Sequence, residues 1–213
     1  MRTLVTGVTA SVELFERAAA EDAQLILVHH GLFWKGMPQH VDHAMYRRLR
    51  PLFLNDIALA AYHLPLDAHP EVGNNALLAR ALGADEVERF GDIGFTARFA
   101  GDGIDAAELT DRVREVTGRD PLHLAYGPTR VRALGIVSGG AAGYLGDAIA
   151  AGLDAFLTGE PAERVLAQAR EAGIHFLAAG HYATETFGIR ALGDRCSEQY
   201  GVRHVFVDDP NPI

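Results

Sequence analysis

Seven side chains suited to metal binding or proton transfer stand where apolar runs of this 213-residue chain end. His29 and His30 close the run in "LILVHHGLFW", and His63 and Asp67 follow "DIALAAY" in "DIALAAYHLPLDAHP". Glu160 ends "DAFLTGE", and His181 and Glu185 stand in "AAGHYATETFG". Imidazole and carboxylate are donors for zinc, iron, manganese and nickel, and both can carry a proton. If a helix starts near His181, Glu185 shares its face one turn on, and the two can converge on one ion. Otherwise Glu185 complements a helix N-terminus and His181 is merely exposed. Neighbours on a strand point to opposite faces, so His29 and His30 would reach two ions side by side at the strand's end. Taken alone, they read more simply as one histidine bonded in the core and one in solvent.

Pro65 and Pro70 predict an extended loop carrying His63, Asp67 and His69, with Asp67 a ligand or a cap. Asn74 and Asn75 bond that loop or face solvent. Glu160 either orients a ligand histidine or complements the first turn of the next helix. "SGGAAG" (138–143) lacks the spacing of a nucleotide fingerprint and reads as a tight turn. Cys196, in a helical pattern with no partner cysteine, reads as structural, and Phe33 and Trp34 as a packing anchor or subunit contact.

The elements that must position these residues alternate. A strand from Thr3 is followed by Ser11 as cap of an amphipathic helix, "VELFERAAAED". "AQLILV" delivers His29 and His30, "HVDHAMYRRLRPLF" reads as a helix broken by Pro51, and "DIALAAYH" as a buried strand. Pro70 suits the first turn of a helix through "EVGNNALLARAL", closed by Gly83. From Arg130 strands and helices alternate again, through "VRALGIVS", "DAFLTG", "IHFLAAG" and "RHVFV". The expected fold class is α/β: two similar lobes, each a mainly parallel sheet flanked by helices, at 1–90 and 130–213. A smaller connecting α+β region spans 91–129, and the lobes form one compact unit around a shared site. "LILVHH" and "HFLAAGH", apolar strands ending in histidine, form a weak internal repeat. Ligand sites of open parallel sheets lie beyond such carboxyl ends.

Composition narrows the partners. With 28 acidic residues against 19 Lys and Arg the formal charge is -9, and no basic cluster offsets it, which argues against a nucleic-acid groove. The single cysteine excludes an internal disulfide, and the start of the chain lacks a basic and apolar leader pattern, so the cytoplasm is the expected compartment. No apolar run approaches the roughly 18 residues of a membrane span.

"LILVHHGLFW", "AYHLPLDAHPEVGNN", "DAFLTGE" and "AAGHYATETFGIRAL" strongly resemble the Nif-three-like family, whose members carry the label GTP cyclohydrolase type 2 homologue. The match is collinear over nearly the whole chain. The resemblance implies two divalent metal ions per subunit, held by two α/β lobes, in a ring-shaped homohexamer assembled as a trimer of dimers. It assigns His29, His30, Asp67, His181 and Glu185 as metal ligands, with Glu185 bridging both ions, and puts His63 and Glu160 near the centre in orienting or acid–base roles. The implied activity is metal-dependent hydrolysis of a nucleotide or related small molecule; the alternative is a metal-binding scaffold acting through protein partners. The chain departs from the pattern in starting at "RTLVTGV", where members usually have a further helix and an Asn-Gly-Leu-Gln stretch. Thr9 stands where Asp is frequent, and Glu163 where His is common.

Overall fold

In a computed structural model describing Met1–Ile213, the chain divides into two units. The first comprises Met1–Leu66 and Gly188–Asp209, the second Asp67–Phe187 and Pro210–Ile213. Both are α/β.

The first unit opens with β1 (Thr3–Thr9), α1 (Val12–Ala20), β2 (Leu25–His30), α2 (His43–Leu54) and β3 (Ala58–Ala61). Ser11 caps α1 as expected, its hydroxyl accepting from the Leu14 N–H at 3.0 Å, and the helix buries Leu14, Phe15 and Ala18. Asp42 caps α2 by accepting from the Met45 N–H at 2.7 Å. Pro51 does not break α2, which runs on to Leu54. The N–H that proline lacks would have served the carbonyl of Arg47, an exposed residue whose carbonyl water can satisfy. β3 is not buried: it pairs only with β2, at the sheet's edge, and its end residues are exposed.

The segment expected as an extended loop instead forms a single turn, α3 (Leu64–Asp67), because Pro65 lies in the first turn of a helix, where a missing N–H costs nothing. α4 (Asn74–Ala81) starts four residues beyond Pro70, and Gly83 ends it at φ +82°. β4 (Glu86–Phe90), β5 (Gly94–Arg98), β6 (Ile104–Asp105), α5 (Ala106–Thr117), β7 (Leu122–Ala125), β8 (Arg130–Val131), β9 (Ala133–Ile136) and α6 (Leu145–Ala150) follow. Then come β10 (Ala155–Thr158), α7 (Val165–Ala172), β11 (His175–Ala178), α8 (His181–Thr184), α9 (Thr186–Tyr200) and β12 (Arg203–Phe206).

The first sheet, β12-β1-β2-β3, is parallel throughout. The second has the order β4-β5-β9-β10-β11-β7, with a parallel centre of β9, β10 and β11 and antiparallel strands on both sides. The stretch expected as a connector thus supplies β5 and β7 to this sheet. The boundaries expected at 90 and 130 both lie inside the second unit, and the last strand, β12, returns to pair with β1. The central strands are buried on both faces, as a strand's two-residue period requires: Leu157 and Leu177 pack with Leu109 and Val113 of α5, while Phe156 and Phe176 pack with Leu145, Val165 and Ala169.

Two histidines that look scattered in sequence are structural. His175 is buried, bonded to His123 at 3.1 Å and to the Pro128 carbonyl at 2.8 Å. His204 on β12 reaches Thr6 Oγ1 of β1 at 2.7 Å and Asp194 of α9 at 2.8 Å, fastening the returning strand. Its ring fits under α9 because residue 193 is glycine; a Cβ there would stand 2.2 Å from His204 Nε2. Gly193→Ala is therefore expected to lower stability by about 1–3 kcal/mol through overpacking, measured by urea unfolding. An unchanged midpoint would mean that the ring is not confined there.

Candidate metal centre

In the first unit, β2 carries His29 and His30 to its carboxyl end. His29 is fully buried, and its Nδ1 lies 2.9 Å from the Tyr62 carbonyl. A carbonyl only accepts, so Nδ1 bears the proton and the lone pair of the neutral ring is on Nε2, the arrangement of a metal-ligating histidine. His30 Nδ1 lies 3.0 Å from Thr9 Oγ1, so the threonine at this position orients the ring. The His63 ring centre is 4.9 Å from that of His29 and 5.3 Å from that of His30, and one donor atom from each of the three lies within 4.8 Å of the others. His63 thus joins a three-imidazole group. The plain expectation of one core and one solvent histidine is half met: His29 is in the core, but as part of this group. Trp34 stands edge-on to His63 at 5.0 Å and donates from Nε1 to the Gly31 carbonyl at 3.0 Å, whereas Phe33 is 78% exposed and anchors nothing within the chain.

In the second unit the parallel strands β9, β10 and β11 lead into Ser138–Gly139, Gly159–Glu160 and Gly180–His181, a row of turns at one sheet edge. His181 opens α8, and Glu185 follows one turn later; His181 Nε2 lies 3.2 Å from Glu185 Oε2, as the four-residue spacing predicts. His181 Nδ1 is hydrogen-bonded to Glu160. Gly139, at φ +68°, leaves the space these groups need: a Cβ there would stand 2.2 Å from Glu185 Oε1 and 3.0 Å from His181 Nε2. Its N–H donates to Thr184 Oγ1 at 3.0 Å.

Asp67, also in the second unit, is buried. Its Oδ1 accepts from Asn74 Nδ2 at 2.8 Å and from Ser138 Oγ at 3.2 Å, so both bonds fix the carboxylate through one oxygen. Asn75 accepts from the Ser138 N–H at 2.7 Å and donates to the Ile93 carbonyl at 2.9 Å, holding that turn in place. Both asparagines are fully buried, so neither faces solvent.

Each unit therefore presents a set of N and O donors held by neighbouring hydrogen bonds: His29, His30 and His63 in the first, Asp67, His181 and Glu185 with Glu160 in the second. Such a set fits a borderline divalent transition ion better than a soft one.

Comparison with known proteins places the chain among relatives. The pattern that defines the family described as Duf34/NIF3 (NGG1p interacting factor 3) matches residues 1–212. The chain belongs to the NIF3 family. This NIF3-family chain is 47% identical to a GTP cyclohydrolase 1 type 2 homolog of Pseudomonas aeruginosa, covering 100% of the chain and 85% of the relative. It is 44% identical to the Yersinia pestis protein of the same description, covering 100% and 86%. Among solved structures it is similar to ybgI, described as of unknown function, with TM-score 0.94 at 41% identity over 100% of this chain and 86% of that one. It is also similar to TTHA1606 of Thermus thermophilus, with TM-score 0.88 at 37% identity over 100% and 85%.

In the NIF3-family chain, the hydrogen bond to Glu185 raises the His181 pKa; burial opposes it, and the Glu185 charge and Glu160 add to it, bringing it to about 9. Because this lies above the ordinary value of about 6.5, the stabilisation is complete below about pH 6.5 and is lost as pH rises through about 9. In protein stripped of divalent ions, NMR titration of the His181 ring is expected to give that raised value, and Glu185→Gln to bring it down. A His181 titration at or below pH 6.5 would contradict this geometry.

Proposed function

We propose that the protein is a dinuclear metal-dependent hydrolase acting on a nucleotide or related small molecule. The observation that carries this reading is the Nδ1 bond of His29 to the Tyr62 carbonyl, which selects the tautomer a metal requires at Nε2. In this reading His29, His30, Asp67, His181 and Glu185 would hold two divalent ions of iron, zinc, manganese or nickel. Ions held there would supply Lewis acidity to a water molecule and a substrate oxygen. Glu160, bonded to His181 Nδ1, holds that ring in orientation, and Asn74 and Ser138 do the same for Asp67. His63, beside His29 and His30, is the group to move a proton to or from the reacting atoms. The names of the relatives supply the nucleotide as substrate class.

A second reading, a non-catalytic metal-binding scaffold acting through protein partners, draws on the exposed apolar side chains of the first unit, with Phe33 and Phe53 78% and 79% exposed and Leu54 66%. The same side chains support self-assembly as a homohexamer, a trimer of dimers. No helix is long and apolar enough to cross a membrane. The compartment we propose, on the chain's single cysteine, is the cytoplasm.

Elemental analysis of protein purified without added metal is expected to find two transition ions per chain, reduced in Asp67→Ala. Absence of metal from the wild type, or equal metal in the variant, removes this site. Turnover of nucleotides that is abolished in folded His181→Ala or Glu185→Ala selects the hydrolase; full metal with no turnover on nucleotides, phosphoesters or cyclic amides selects the scaffold. Light scattering in solution is expected to give six times the mass of one chain, and a monomer would exclude the assembly.

A further inference from the structure

We infer that Arg119 forms an anion-binding subsite beside the metal centre and receives the phosphate groups of the substrate. Arg119 lies between α5 and β7. β7 runs antiparallel to β11 with Leu122 opposite Ala178, so the residues just before β7 emerge where β11 ends, at the sheet edge that carries Glu160 and His181. The Arg119 side chain lies along Gly180, the residue before His181: a Cβ on Gly180 would stand 2.5 Å from Arg119 Nη1 and 2.8 Å from its Cδ. Gly180, at φ +95°, has no side chain to keep the guanidinium away.

Four arginines of the second unit are paired with carboxylates; Arg119 is among those that are not, and its side chain is the one that lies along Gly180, the residue before His181. Arg98 pairs with Glu88 at 2.6 Å, Arg112 with Glu108 at 2.7 Å, Arg130 with Asp102 at 3.0 Å, and Arg114 with Asp111 and Asp120. Arg119 is half-buried, yet no carboxylate pairs with it; its one hydrogen bond is made by its backbone carbonyl, accepting from Thr117 Oγ1 at 3.4 Å. In a chain with 28 acidic residues against 19 Lys and Arg, a guanidinium held at a functional edge without a carboxylate keeps its planar fork for an anion. A guanidinium fork suits a phosphate group better than a neutral cyclic amide. The inference rests on the hydrolase reading for its substrate, but not for its test.

The test is isothermal titration of GTP and of tripolyphosphate into the protein as purified, with metal content and circular dichroism followed in parallel. Arg119→Ala is expected to weaken both ligands about tenfold or more, the loss of one charge-assisted hydrogen-bonding group, while retaining its metal and fold; Arg119→Lys should recover part of the affinity. The subsite is overturned if Arg119→Ala binds both ligands within twofold of the wild type, if the wild type binds neither, or if the variant loses its metal and so reveals Arg119 as a brace for the turn at Gly180. Metal retained with unchanged anion affinity sinks only the subsite. Absence of metal from the wild type sinks the dinuclear reading, whatever Arg119 does.

Discussion

The structure depends on keeping buried ionisable side chains hydrogen-bonded. His29 is fully buried, and Asp67 and Glu185 are each 3% exposed. A carboxylate or imidazole removed from water is costly unless neighbouring dipoles or charges compensate it. Here the compensation is local and specific: a carbonyl for His29, an amide and a hydroxyl for Asp67, an imidazole for Glu185. Residues with no chemistry of their own are thereby constrained. Asn75 must hold the Ser138 turn, and residue 139 must be glycine so that Glu185 and His181 have space.

The parallel arrangement makes such sites easy to build. Where parallel strands end together, their following turns fall side by side, and each turn contributes one side chain to a common edge. β9, β10 and β11 do this with Ser138, Glu160 and His181. In the first sheet, β2 contributes His29 and His30, and the turn after β3 contributes His63. The antiparallel strands of the second sheet extend the same edge in another way. β7 begins where β11 ends and so delivers Arg119 from a part of the chain that sequence order gives no reason to associate with the site.

Much of this is legible in the sequence. Alternating apolar strands and amphipathic helices identify the α/β class, and the four-residue spacing of His181 and Glu185 foretells their contact. Two departures come from proline: Pro51 and Pro65 read as breakers, but each sits where a missing N–H is tolerated. The exposed edge position of β3 is invisible, because an apolar run looks the same at the edge of a sheet as in its centre. The boundaries expected at 90 and 130 follow composition, whereas strand pairing draws β5, β7 and β12 into sheets according to which backbone edges are available.

The sequence by itself determined most element types, the family and the candidate donor side chains, because hydrophobic period, capping residues and short motifs are local properties. Only the tertiary structure decided which donors have neighbours that fix their tautomer and orientation. The Tyr62 carbonyl, Asn74, Ser138 and Gly139 act through distances set by strand pairing and helix packing, and no spacing along the chain encodes those distances. His63 likewise became part of a three-histidine group, and Arg119 came to lie along Gly180, only once the strands had been placed in order.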